Sequence, residues 1–257
     1  MRFGTVDRED ELSIKKRDEI IERLVSKGWE YDCENPELVI SVGGDGTLLR
    51  TIHKYLDCLE DVMFVAIHTG TLGFFTDYTK DEIDLLIEDI TTKAPDIEYR
   101  PMLEIQIPQK NKIHYALNEI RIESLGKTLN LDVYIDEEYF ESTSGSGLCI
   151  STQAGSSAMN RALSGAVVDS GLNVLQLCEI MPITHKNHHS LRNPYIMRED
   201  RKVTIKGKAL SLARANFDYL ETGLENVDTL FICTSEKKVR FARYRTYSYL
   251  KRLKNLY

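Results

Sequence analysis

Apolar positions in the first ninety residues switch between strand-like runs and helix-like spacing. Residues 38–42 and 62–67 are short apolar runs, whereas apolar residues recur every three or four positions over 12–27 and 48–56. A capping box at residues 79–82 opens a further helix. Strand and helix therefore alternate, which predicts a parallel sheet with helices on its faces.

The pattern changes near Pro101, after which most apolar segments are typical of strands. The predicted strands are 103–107, 114–122, 131–135, 148–151, 203–205, 210–212, 230–233 and 239–241. We therefore expect an α/β protein with an N-terminal Rossmann-like parallel-sheet domain over residues 1–100 and a β-rich, β-sandwich-like domain over residues 101–245. The end of the chain, residues 246–257, is predicted to form a short basic helix that packs back on the first domain.

Composition excludes several classes of function. The 257 residues carry a formal net charge of −7, which argues against general binding to nucleic acid or to an anionic membrane. The charged N-terminus has no apolar leader core and no run approaches about 20 apolar residues, so we expect a cytoplasmic protein without a membrane span. The five cysteines lack C-x-x-C spacing, which favours reduced thiols over disulfides or zinc.

Two polar segments are interpreted without assigning them chemistry. His185, His188 and His189 lack the spacing and the acidic or thiolate neighbours of a metal site, so we interpret them as part of a solvated or interface loop. Arginines and lysines alternate with aromatic residues over 240–254. Because the chain is acidic overall, we interpret this run as a packed terminal segment whose charges face water or a partner subunit.

A glycine-rich turn, Gly-Gly-Asp-Gly-Thr, lies between a predicted strand and a predicted helix. Parallel sheets bind ligands at the carboxyl ends of their strands, and glycines let backbone N–H groups approach phosphate oxygens. The phosphate-handling residues of this turn are Gly43, Gly44, Gly46 and Thr47. A carboxylate repels phosphate, so Asp45 makes sense if it accepts a proton from an attacking hydroxyl or holds a metal ion. The alternative is a tight turn in which Asp45 tolerates an unusual backbone conformation.

A second candidate is the polar pair Asn118 and Glu119, which interrupts the predicted strand 114–122. An amide and a carboxylate side by side can hydrogen-bond a ribose diol. Buried polar groups need partners, so the pair indicates a pocket. The alternative is a strand end or bulge that is exposed to water.

Four segments in this order resemble the NAD kinase family, and specifically the short form found in Gram-positive bacteria. They are residues 43–47 (Gly-Gly-Asp-Gly-Thr), 68–77 (His-Thr-Gly-Thr-Leu-Gly-Phe-Phe-Thr-Asp), 116–119 (Ala-Leu-Asn-Glu) and 147–158 (Gly-Leu-Cys-Ile-Ser-Thr-Gln-Ala-Gly-Ser-Ser-Ala). The closing segment 239–245 is also similar to that of the family. The first segment also occurs in lipid kinases and phosphofructokinases, so the resemblance depends on all four.

The resemblance implies transfer of the γ-phosphoryl group of ATP to the adenosine 2′-hydroxyl of NAD, with Asp45 as general base. Mg²⁺ would enter with the nucleotide phosphates rather than in a cage of side chains. Asn118 and Glu119 would hold ribose hydroxyls and the nicotinamide side, and Phe74 would pack on the adenine. The residues implied in NAD binding are Asp45, Gly46, Phe74, Phe75, Asn118, Glu119, Ser146, Ser156, Ser157, Ala158, Met159, Ala162, Asp218 and Tyr219. Polyphosphate as an alternative donor stays open.

Three of these positions depart from the family pattern. Ser146 stands where the family usually has an Asp that contacts the nicotinamide end of NAD from a neighbouring subunit, Met159 replaces a Tyr, and Ala162 replaces a Ser. Three hypotheses therefore stay open: an NAD kinase with altered NAD contacts, a catalytically weak NAD(P)-binding module, and a kinase of the same superfamily that acts on another alcohol. The resemblance also implies a homo-oligomer, a dimer or tetramer, in which residues near Ser146 and Tyr219 meet the neighbouring subunit.

Overall fold

The computed structural model describes residues 1–184, 190–191 and 193–254, so the histidine loop at 185–189 lies outside the described residues. The chain divides into two compact units, Met1–Arg100 with Lys237–Tyr257, and Pro101–Glu236. The return to the first unit begins at Lys237, not at the predicted residue 246, because one continuous strand runs through this boundary.

Helices lie mainly in the first unit, whereas strands occur in both units. The helices are α1 (Glu11–Ser26), α2 (Asp45–Lys54), α3 (Ile83–Thr92), α4 (Met159–Ala162) and α5 (Tyr249–Leu253). The strands are β1 (Arg2–Asp7), β2 (Glu30–Tyr31), β3 (Leu38–Gly43), β4 (Met63–His68), β5 (Tyr78–Thr79), β6 (Asp96–Ile107), β7 (Lys112–Ala116), β8 (Glu119–Glu123), β9 (Leu129–Ile135), β10 (Glu138–Gly145), β11 (Gly147–Ser151), β12 (Val174–Ile180), β13 (Tyr195–Arg198), β14 (Val203–Lys206), β15 (Arg214–Phe217), β16 (Leu220–Gly223) and β17 (Thr229–Arg243).

The first unit is built on a parallel sheet, as predicted. Its strand order is β2-β1-β3-β4, and β5 and the end of β17 also pair with β4 in parallel. Strand β3 is buried along its whole length, as expected for a strand covered on both faces. Asp10 is the N-cap of helix α1, and its carboxylate accepts the Ser13 N–H. The helix buries Ile20 and Leu24 in the core.

The second unit is antiparallel and β-rich, as predicted. One sheet has the order β13-β12-β11-β8-β15-β16, and the strands β10, β9, β14 and β17 pair in a second layer. A single apolar core draws residues from both layers, for example Leu131 and Val203 from one and Ile120 and Leu177 from the other. This arrangement is the expected sandwich-like packing.

Several predicted bounds are wrong. The predicted strand 114–122 is two strands, β7 and β8, which lie in different sheets. The predicted strands 230–233 and 239–241 are one strand, β17, and 210–212 belongs to a 3₁₀ helix, Lys208–Leu212. Strand β1 is absent from the sequence-based prediction, since its charged ends obscure the buried Phe3. The terminal helix α5 begins at Tyr249 and not at the predicted residue 246, and residues 255–257 of the prediction lie outside the described residues.

Candidate functional site

Asp45 lies at the carboxyl end of β3, in the first turn of α2. The helix begins at Asp45, with Gly44 as its N-cap. The Gly44 N–H donates to Thr47 Oγ1 at 3.4 Å, which closes the turn. The Asp45 carboxylate therefore sits at the positive end of the helix dipole and beside backbone N–H groups that have no partner inside the helix.

The glycines of this turn have different structural roles. A Cβ on Gly43 would lie 2.2 Å from Thr47 Oγ1, so packing of the turn itself requires glycine there. A Cβ on Gly44 or Gly46 would meet no atom within 4 Å, and neither residue has a positive φ. Packing within the protein does not require glycine at these two positions, and the open space beside them is available to a ligand.

A loop after β4 holds both oxygens of Asp45. The Phe74 N–H donates to Oδ2 at 2.7 Å and the Phe75 N–H donates to Oδ1 at 3.1 Å. A Cβ on Gly73 would lie 2.2 Å from Oδ1, so glycine at 73 permits this close approach. Burial raises the pKa of Asp45, and the two N–H groups together with Arg252 and His68 offset only part of that effect. Asp45 is therefore an oriented carboxyl group with increased basicity.

The two aromatic residues of this loop face different surroundings. The Phe74 ring is half-buried and lies 5.6 Å from the Tyr249 ring, so part of its surface is open. The Phe75 ring is buried and stacks on Phe241 with 5.7 Å between ring centroids. Phe75 therefore contributes its N–H to the site, while its side chain belongs to the core.

In the second unit, the chain between β7 and β8 leaves two backbone N–H groups outside the sheets, and both donate to the Asp218 carboxylate. Leu117 N–H donates to Asp218 Oδ2 and Asn118 N–H donates to Oδ1, both at 2.8 Å. The Asp218 N–H in turn donates to the Glu119 carbonyl at 3.2 Å. Asp218, predicted to touch NAD, thus also fixes the backbone of the predicted pair.

Asn118 and Glu119 are buried, and each has an oxygen without a partner. Asn118 Oδ1 and Glu119 Oε2 lack any hydrogen bond among the described residues. Burial, with a smaller effect from the charge of Asp218, raises the pKa of Glu119 to about 7. Buried acceptors are normally satisfied, so these two oxygens are suited to a ligand that brings hydroxyl or N–H donors. The alternative of a water-exposed strand end is wrong for this pair.

The segment after β11 packs against the same pair. A Cβ on Gly155 would lie 2.1 Å from the Asn118 carbonyl oxygen, so glycine lets the two backbones meet. The Met159 N–H donates to the Glu119 carboxylate. Ser156 is fully buried and its Oγ accepts the Val168 N–H at 3.0 Å, so the fold already uses this hydroxyl.

The remaining predicted residues of this segment are more accessible. Ser157 and Ala158 are half-buried, and Met159 and Ala162 are exposed on or beside the short helix α4. These positions can line the rim of a pocket, where an exposed methionine offers apolar contact but no hydrogen-bond donor.

Ser146 and Tyr219 do not pack against Asn118 and Glu119 as the segment after β11 does. Ser146 precedes Gly147, whereas Glu119 pairs with Ser151 at the other end of β11. The two positions are five residue steps apart along the strand, or about 16 Å. Tyr219 follows Asp218 in the turn between β15 and β16 and is 50% exposed.

Sequence reasoning missed several residues that shape these sites. The buried Asn160 side chain donates to the carbonyls of Ser156 and Ala166, both at 3.2 Å, and so fixes the loop after Ser156. The expectation that the C-terminal charges face water or a partner is wrong for Arg243 and Arg252, which are buried. A lone asparagine or arginine carries no local signal of burial. The aromatic residues between these arginines were the one available indication that the segment packs against the protein.

Two further kinds of feature are absent from the part of the chain that the structure describes. Within the described ranges, no cluster of three or more His, Cys, Asp or Glu side chains could hold a metal ion. In the same part of the chain, no helix has the length and apolar character needed to cross a membrane.

Comparison with known proteins places these features in a family. The ATP-NAD kinase C-terminal domain family matches residues 117–244. An NAD kinase of Shouchella clausii is 36% identical over 264 residues, which cover 100% of this chain and 99% of the relative. An NAD kinase of Lactobacillus gasseri is 37% identical over 230 residues, which cover 88% of this chain and 86% of the relative.

Solved structures share the fold. Yeast NADH kinase complexed with NADH matches with a TM-score of 0.84 at 18% identity, over 99% of this chain and 86% of that chain. An NAD kinase from Archaeoglobus fulgidus in complex with ATP matches with a TM-score of 0.79 at 24% identity, over 100% and 97% of the two chains.

Proposed function

The chain belongs to the NAD kinase family, and on that premise we propose that it transfers the γ-phosphoryl group of ATP to the adenosine 2′-hydroxyl of NAD, with Asp45 as general base. The observation that carries the role of Asp45 is its geometry: both carboxylate oxygens are held by N–H groups of the 73–77 loop at the carboxyl end of β3. The product is NADP.

The chemistry asks little of the protein beyond positioning and one proton acceptor. A carboxylate oxygen of Asp45 takes the proton of the 2′-hydroxyl as the 2′-oxygen forms a bond to the γ-phosphorus. The bond from the γ-phosphorus to its bridging oxygen breaks, and ADP leaves. Burial raises the pKa of Asp45, which makes the carboxylate a better base than an exposed aspartate.

The donor phosphates are proposed to lie against Gly44 and Gly46, where a side chain would meet no protein atom. The first N–H groups of α2 point to the same place and attract phosphate oxygens. Mg²⁺ is proposed to enter this site bound to the nucleotide phosphates. When bound, the ion would neutralise phosphate charge.

NAD is proposed to satisfy the two unpartnered oxygens of the second unit, Asn118 Oδ1 and Glu119 Oε2. Ribose hydroxyls are donors of the right kind, and an ionised Glu119 also attracts the cationic nicotinamide ring. Ser157, Ala158 and Met159 of the same unit are proposed as further contacts, because each keeps accessible surface.

We also propose a homo-oligomer, a dimer or tetramer. Ser146 lies about 16 Å along β11 from the position of Glu119, so within one copy the two side chains are not adjacent, and a neighbouring copy is proposed as the partner of Ser146. The exposed Tyr219 supports the same arrangement. A cytoplasmic location is supported by five free thiols.

Product analysis tests the proposed activity. The purified protein is incubated with NAD, ATP and Mg²⁺, and phosphorus NMR identifies the ester formed. A 2′-phosphate on the adenosine ribose, with one ADP per NADP, is expected. NAD that raises the melting temperature without any ester would instead favour the weak binding module, and an ester only on another alcohol would favour a different kinase.

A further inference from the structure

The 73–77 loop is held on its other side by the end of the chain. Three consecutive carbonyls of this loop accept hydrogen bonds from three side chains near the end of the chain. We call these residues, Arg243, Tyr247 and Arg252, the C-terminal clamp. The three bonds are Tyr247 Oη to the Phe74 carbonyl at 2.8 Å, Arg243 Nη1 to the Phe75 carbonyl at 3.1 Å and Arg252 Nη2 to the Thr76 carbonyl at 2.6 Å. The loop therefore binds Asp45 with its N–H groups and the clamp with its carbonyls.

A buried carboxylate fixes the clamp. Asp77, whose side chain is 2% exposed, accepts Arg243 Nη1 at 2.6 Å and Arg252 Nη2 at 2.9 Å. The Tyr247 ring packs on both guanidinium groups, 4.4 Å from Arg243 and 4.1 Å from Arg252. The position of the Tyr247 hydroxyl is thus determined by two cations that are themselves paired.

One peptide group links Tyr247 to Asp45 directly. The amide between Phe74 and Phe75 accepts the Tyr247 hydroxyl at its carbonyl and donates its N–H to Asp45 Oδ1 at 3.1 Å. Hydrogen bonds at the two ends of one amide polarise it and strengthen each other. Removing the hydroxyl should therefore weaken the bond to Oδ1 as well as loosen the loop.

We propose that Tyr247 is a positioning residue for Asp45, and that it acts through the amide between Phe74 and Phe75. The closing segment of the chain would thereby determine how the carboxylate is aimed and how strongly its charged form is hydrogen-bonded. The kinetic part of this inference rests on the proposed function, whereas the hydrogen-bond relay does not.

The kinetic test is Tyr247→Phe, which removes only the hydroxyl. The loss of one hydrogen bond should lower kcat about threefold to tenfold, with KM for NAD and ATP changed less than roughly twofold. Tyr244→Phe is the matched control, because Tyr244 lies in the same segment and its ring packs in the core. A Tyr247→Phe enzyme with the kcat of wild type would overturn the proposal.

A second readout separates positioning from general stability and does not need activity. Carboxyl carbon NMR follows the titration of Asp45, whose signal is identified by its absence in Asp45→Asn. Tyr247→Phe should raise the titration midpoint of Asp45, since its carboxylate loses hydrogen-bond support, while Tyr244→Phe leaves it in place.

The other charged groups that act on Asp45, Arg252 of α5 and His68 at the end of β4, are unchanged in both variants. Equal midpoints in wild type and Tyr247→Phe would refute the relay even in a protein that makes no NADP. A shifted midpoint without any NADP formation would support the relay and count against the proposed function.

Discussion

At the scale of single residues, the buried Asp45 carboxylate opposes stability. The folded protein raises the pKa of Asp45, so it favours the protonated form over the charged one. This contribution to stability is fully present below the pKa of the unfolded chain, 3.8, and is lost as pH rises through the raised pKa of the folded state. At neutral pH the native state therefore holds a charge that favours unfolding, as is common at active sites.

Asp45→Asn should therefore melt at a higher temperature than wild type at pH 7 to 8. The neutral amide mimics the protonated carboxyl, so the difference should vanish near pH 4. Thermal unfolding of both proteins across this range checks the sign. A variant that is less stable than wild type at neutral pH would contradict this description of the site.

Glu119 gives a pH dependence of a different kind. Its pKa of about 7 means that the carboxylate, the form proposed to bind NAD, is a minor species at pH 6 and the major species at pH 8. The affinity for NAD should therefore rise about tenfold between these pH values.

Titration calorimetry of wild type and Glu119→Gln measures this effect. Glu119→Gln should bind NAD weakly and with a flat pH dependence. Glu221→Gln is the control on β16 of the same sheet, because Glu221 is exposed and pairs with Arg214. An affinity of wild type that is equal at pH 6 and pH 8 would exclude this role of Glu119.

At the scale of elements, two glycines of the strand–turn–helix around Asp45 have different roles. Gly43 is required by packing of the turn, whereas Gly46 is proposed to leave room for the ligand. Gly46→Ala adds a methyl group that meets no protein atom, and alanine is a better helix former than glycine. We expect an unchanged or higher melting temperature and a KM for ATP raised about fivefold or more by the methyl group near the phosphates.

Gly43→Ala is the structural contrast to Gly46→Ala, since its methyl group would collide with Thr47. It should lower the melting temperature of the protein. Melting curves and ATP saturation curves of both variants test these expectations. A Gly46→Ala enzyme with the wild-type KM for ATP would exclude binding of the donor phosphates at this turn.

Elements were predictable from sequence where local pattern determines them. The apolar run of β3 and the glycines after it predict a buried strand and a turn, because burial and backbone freedom are local properties. The break in the predicted strand 114–122 was not predictable. It is stabilised by Asp218, which lies 101 and 100 residues away from the two N–H groups it accepts. The same limit hid the clamp, since the loop carbonyls that accept hydrogen bonds from Tyr247 and Arg252 lie more than 170 residues away in the sequence.

At the scale of the whole molecule, the oligomer is proposed from two residues, the half-buried Ser146 and the exposed Tyr219, rather than from the fold of either unit. If Ser146 and Tyr219 meet a neighbouring copy, sedimentation velocity should give a dimer or tetramer at micromolar concentration. Introducing like charges at these two positions, for example Ser146→Arg with Tyr219→Arg, should shift the protein toward monomer and weaken NAD binding. A wild-type protein that sediments as a monomer would exclude an NAD site shared between neighbouring copies.

The most direct test of the central claim is the rate of NADP formation by Asp45→Asn at saturating NAD and ATP. If Asp45 is the proton acceptor, the rate should fall about 10²-fold to 10⁴-fold, while calorimetry shows NAD still bound. A variant that binds NAD and keeps more than roughly a tenth of the wild-type rate would contradict the assignment of Asp45 as general base.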